Sequence, residues 1–133
     1  MDLIKLSANE ALKMMEEDSL SSEEYVKAFL KQIELREDDV GAWIFLDPKL
    51  ALEQAREADK RRKDKRAGKL NGLPIGIKDI IDTKDMPTEN GSNLCKNRKP
   101  SKDAHLVRLL RDEGAVIMGK CVTTEFALSL IHI

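Results

Sequence analysis

Leu73-Pro74-Ile75-Gly76-Ile77-Lys78-Asp79-Ile80-Ile81 sets the architecture of the chain. Its leucine and isoleucines form a buried-strand pattern, and Asp82 to Ser92 behind it carries the turn residues of a loop. Strand alternation puts Leu73, Ile75 and Ile77 on one face and Pro74, Gly76 and Lys78 on the other, so Lys78 projects over a surface cleared by glycine. An ammonium in such company is partly desolvated. Bringing a lysine from roughly 10.4 towards 7 by burial takes ~4 kcal/mol, and the neutral amine then acts as a base. Asp79 does not oppose this directly, because a regular strand turns it to the opposite face. The plainer alternative is a lysine that guards an exposed edge strand, and periodicity alone favours that role.

Upstream, Ser7-Ala8-Asn9-Glu10 and Ser21-Ser22-Glu23-Glu24 both have the form of a capping box, so two helices open the chain. In the second, Tyr25, Val26, Phe29, Leu30 and Ile33 recur at helical steps and make one apolar stripe. Ala42 to Leu46 suits a short strand. Asp47-Pro48 supplies a cap and a first-turn proline for a third helix, expected to run to about Ala67 and to close at Gly68. Downstream, Ser101 is expected to cap a helix with Leu106, Val107 and Leu110 on one side, ended by Gly114. Ala115 to Met118 is another apolar strand, and Thr123-Thr124-Glu125 has the form of one more helix start. Helices alternating with short apolar strands predict an α/β fold: N-terminal helices followed by the start of a mixed sheet flanked by helices.

Composition narrows the functional classes. The 133 residues are 41% hydrophobic, enough for a real core, and 23 Lys and Arg against 24 Asp and Glu give a formal charge of -1. No global field exists to hold a phosphate backbone, so nucleic acid is not an expected direct partner. No run approaches the roughly 18 apolar residues of a membrane span, and a cytoplasmic location is the simplest expectation. Cys95 and Cys121 form no C-x-x-C pair and share no ligand spacing with His105 or His132, so no metal site is expected.

The cationic run Lys60 to Arg66 is read as a solvated helix end meeting the negative pole of its dipole. Gly114-Ala-Val-Ile-Met-Gly119-Lys120 nearly spells a phosphate-binding loop, but a helix precedes Gly114 and the residues between the glycines are strand-like, so nucleotide binding is set aside. In Met86-Pro-Thr-Glu-Asn-Gly91-Ser92, Gly91 would let backbone amides and the Ser92 hydroxyl approach a neighbouring site. Such turns are also common in plain connections.

Gly72-Leu-Pro-Ile-Gly-Ile-Lys78-Asp79, Pro87-Thr-Glu-Asn-Gly91-Ser92, Asp103-Ala104 with Val107, Gly114-Ala-Val-Ile-Met-Gly119-Lys120 and Glu125-Phe126-Ala127, in this order and spacing, resemble the amidase signature family. The resemblance covers nearly the whole chain up to Ala127. It implies a catalytic role for Lys78, reversing the edge-guard reading. The family's lysine works through a bridging serine in a cis peptide to deprotonate a nucleophilic serine, and the acyl-enzyme so formed is resolved by water or another nucleophile. Asp79, Gly91 and Ser92 are expected to support that site. No cofactor is implied, and the expected partner is a small amide substrate, with a homo-oligomer left open.

The family's serines normally follow soon after the Glu-Phe-Ala stretch, and this sequence stops at Ile133 without them. Ser92 and Ser101 come too early in the chain, and Ser129 lacks flanking glycines. The expectation is therefore that residues 1–127 are the N-terminal part of an amidase-signature domain, inactive by itself. Residues 128–133 resemble translated adapter sequence and are read as a non-native tail of a truncated reading frame. A stand-alone amidase is preferred over the alternative in the same family, the A subunit of glutamyl-tRNA(Gln) amidotransferase, a glutaminase. Cys121-Val-Thr-Thr-Glu-Phe-Ala stands where that subunit is expected to carry an Asn-Met-Asp-Glu-Phe-like stretch. A non-catalytic binding module, with Lys78 only an edge guard, is the reading from another class.

Overall fold

The computed structural model describes residues 2–128. Both capping boxes form: Ser7 accepts from the Glu10 amide at the start of α1 (Ala8–Glu16), and Ser21 accepts from the Glu24 amide at the start of α2 (Ser22–Val40). Each such cap is worth about 1 kcal/mol. Gly41, with φ 58, ends α2, and β1 (Trp43–Leu46) comes next. Asp47 accepts from the Lys49 and Leu50 amides and starts α3 (Pro48–Lys63). Beyond α3 come β2 (Pro74–Lys78), α4 (His105–Asp112) and β3 (Val116–Cys121), with short 3-10 turns at Leu3–Lys5, Asn93–Cys95 and Glu125–Ala127.

The sheet has the order β1-β3-β2, with β3 antiparallel to β1 and parallel to β2, so it is mixed as expected. On one side Val116 and Met118 of β3 pack with Val26 of α2 and Ala51 and Ala55 of α3. On the other, Ile117 and Ile77 pack with Val107 of α4 and Met86. A smaller cluster of Ala11, Met15, Leu20 and Tyr25 seats α1 on α2. The central strand is buried from Val116 to Lys120.

The central strand also carries a bulge. Ile75 pairs with Ile117 but Gly76 pairs with Gly119, so β3 has one residue more than β2 at this point. Such an insertion reverses the alternation beyond it. Lys120 therefore leaves the face of Met118 and joins that of Ile117 and Ile77, whereas Cys121 reaches the face of Gly76 and Lys78.

Four expected boundaries are corrected. α3 stops at Lys63, because Asp64 caps it and Lys65 takes a left-handed φ of 56. Gly68 instead permits close packing, since a Cβ there would lie 2.5 Å from the Glu113 carbonyl oxygen. α4 begins at His105 with Ala104 rather than Ser101 at its cap, and Leu106 is half exposed while Val107 is buried. β3 runs on to Cys121 instead of ending at Met118. Glu125–Ala127 is a single 3-10 turn, with Phe126 at φ 49, and not the start of an α-helix. Apart from Leu128, the tail expected to be non-native lies outside the described residues.

Candidate active site

At the end of β2 consecutive side chains part. Lys78 is exposed, whereas Asp79 is only 2% exposed and points to the opposite face, as alternation requires. The expected partial desolvation of Lys78 is thus not found in this chain. The surface beside it is not cleared either: a Cβ on Gly76 would lie 2.7 Å from Cys121 Sγ and 2.9 Å from the Trp43 ring, so this glycine makes room for those two side chains. Cys121 pairs with Lys78 across the parallel ladder. Burial pushes its thiol up, with the Lys78 charge pulling the other way. Cys95 and Cys121 are both free thiols.

Asp79 organises the loop that succeeds it. Both carboxylate oxygens accept from the Glu89 amide at 3.2 Å, and Oδ2 accepts from the Gly91 amide at 3.4 Å. Its backbone is held as well, donating to the Cys121 carbonyl and accepting from the Asn90 amide, each at 2.9 Å. Gly91 has φ 64, and a Cβ there would lie 2.7 Å from the Thr123 carbonyl oxygen. Only glycine meets both conditions without strain. Ser92 is buried, donates from Oγ to Glu125 Oε1 at 2.6 Å and accepts from the Leu94 amide at 3.3 Å. Asp79, Gly91 and Ser92 therefore converge, with Glu89, Thr123 and Glu125, around a cavity of about 410 Å³. Lys78 is not among its lining residues.

Lys120 is the residue that periodicity missed. It is fully buried, and its ammonium donates to the Ile81 carbonyl at 2.7 Å, to Thr83 Oγ1 at 3.4 Å and to Thr88 Oγ1, with Asp79 Oδ1 3.7 Å away. Burial pushes its pKa below the ordinary lysine value, opposed by Asp79 and Asp82. Its signal in the sequence is a cation placed directly after the apolar Ala115–Met118 and Gly119, masked by the resemblance to a phosphate loop. Among the described residues there is no cluster of His, Cys, Asp or Glu suited to a metal, and no helix is long and apolar enough to cross a membrane.

A family model described as Amidase matches residues 24–132. The chain is 39% identical over 127 residues to the A subunit of glutamyl-tRNA(Gln) amidotransferase from Dehalococcoides mccartyi, covering 96% of this chain and 26% of that relative. Its likeness to the subunit of the same description from Clostridium botulinum is 36% over 129 residues, 96% of this chain and 27% of the relative. Among solved structures, native peptide amidase from Stenotrophomonas maltophilia matches with a TM-score of 0.85 and 35% identity, over 92% of this chain and 26% of that one. The chain spans about a quarter of the length of the relatives it matches.

Proposed function

The chain belongs to the amidase family, and from that premise we propose that it supplies the amine base, Lys78, of an enzyme that hydrolyses a carboxamide C–N bond. In this reading residues 1–127 are the N-terminal part of the domain. The two serines belong to the part of the domain outside the quarter of the relatives' length matched here, and residues 1–127 by themselves turn over no amide. A serine held in a cis peptide relays the proton of the nucleophilic serine to Lys78, and the nucleophile attacks the amide carbonyl. The C–N bond then breaks as Lys78 returns that proton through the bridging serine to the departing nitrogen, and water resolves the acyl-enzyme.

The observation that carries the reading is the contrast at the end of β2. Asp79 is buried, with its carboxylate held by the Glu89 and Gly91 amides and its backbone by Cys121 and Asn90, while Lys78 beside it stands exposed. A lysine kept only to guard an edge has no use for an anchored neighbour, whereas a base needs a fixed backbone. Replacing Lys78 by alanine in the gene product that extends through the serines, and measuring hydrolysis of a small carboxamide, tests the reading.

A second reading is favoured by the 39% likeness to the A subunit of an amidotransferase. There the amide is glutamine, and the ammonia released passes to a partner subunit. Glutaminase activity together with co-purification of a second subunit distinguishes this from a stand-alone amidase, and Lys78 has the same role in both.

A further inference from the structure

A buried ammonium is costly unless it is paired and hydrogen-bonded, and a methionine would fill the same space in the core without that cost. Lys120 nevertheless occupies the middle of the fold, brought to the Ile117 face by the bulge in β3. Its partners all come from the chain that leaves β2: Asp79, the Ile81 carbonyl, and the Thr83 and Thr88 hydroxyls. Asp79 is gripped from the other side by the Glu89 and Gly91 amides. Asp82 and Arg98 are the remaining charges that act on Lys120, and they bind each other through two contacts of 2.6 and 2.8 Å.

We propose that Lys120 is a positioning residue for the amidase reaction: it locks the exit of β2 to the 86–92 loop and so fixes the peptide from which Lys78 projects. The proposal rests on the reading of Lys78 as the base. Alternation makes the two side chains of the Lys78-Asp79 pair point apart, so fixing the Asp79 carboxylate from two sides fixes the backbone of Lys78 as well. Lys78 then keeps only its own side-chain torsions. Lys120 touches no reacting atom and acts through Asp79.

The test uses Lys120→Met and the milder Thr88→Val in the gene product that spans the whole domain, followed by hydrogen exchange and steady-state kinetics. In Lys120→Met the amides of Glu89, Asn90 and Gly91 should lose protection by about tenfold or more, while the Val122 amide bonded to the Ala42 carbonyl keeps its own. kcat should fall about 100-fold with KM changed only a few-fold, as expected when a base is misplaced rather than removed. Thr88→Val should loosen the same amides less, and it keeps the question open to experiment should Lys120→Met fail to fold. Unchanged exchange in the loop, a uniform loss of protection across the sheet, or an unchanged kcat despite a loosened loop would each overturn the proposal. Full turnover in Lys78→Ala refutes the base assignment instead. That outcome removes what Lys120 positions even where exchange shows the clamp.

Discussion

Lys120 Nζ lies 3.7 Å from Asp79 Oδ1 with both side chains buried, so the central strand and the end of β2 are joined by an ion pair inside the fold. Removing one partner leaves the other charge unsatisfied. Lys120→Met is expected to destabilise by about 3 kcal/mol, and Asp79→Asn by a similar amount. In the double variant the costs should fall short of their sum by about 1 kcal/mol or more, because each single change already breaks the pair. Urea unfolding of the three variants measures this, and strict additivity would mean that the pair is not coupled.

Gly76 sits where β2 meets two large neighbours. Because a Cβ there would meet Cys121 Sγ and the Trp43 ring, Gly76→Ala should cost about 1–3 kcal/mol through overpacking. Cys121→Ala in the same molecule should recover part of that loss. Trp43 is the only tryptophan of the chain, so its fluorescence reports the local repacking directly. An unperturbed spectrum and unchanged stability would contradict the close approach of these three residues.

Much of this architecture is legible in the sequence, and the exceptions have physical causes. The two capping boxes and the Asp47-Pro48 start depend on contacts within three residues, which a local pattern contains. The end of α3 is not legible, because Lys65 adopts the left-handed conformation that the pattern assigns to Gly68, a choice local propensity does not predict. Position in a strand is enough to single out Lys78, but its exposure depends on what the rest of the chain packs around the end of β2. Lys120 escapes because a period of two cannot register a bulge: unbroken alternation from Ile117 would send its side chain to the side of Met118. The convergence of Ser92 with Glu125, 33 residues later, likewise exists only once the chain is folded.

The Arg98 guanidinium holds the Asp82 carboxyl below its ordinary value of 3.8. A depressed carboxyl contributes stability that is present above the unfolded value and lost as pH falls through the folded one. The stability difference between the wild type and Arg98→Gln should therefore be constant above about pH 4.5 and shrink below about pH 4. Its size is modest, up to about 1 kcal/mol, since both side chains are about a third exposed or more and water screens the pair. Urea midpoints measured from pH 7 to pH 2.5 check this. A difference that grows on acidification would have the wrong sign.

The assignment of the base is tested by Lys78→Ala, made in a protein that contains the whole amidase domain. Lys78 is exposed in this chain, so its loss should leave the circular dichroism spectrum and the unfolding midpoint nearly unchanged. Carboxamide hydrolysis should fall at least about 100-fold, the scale expected when an acid–base group is removed. A folded Lys78→Ala protein with undiminished turnover would contradict the assignment and return Lys78 to the role of a charge on an open edge.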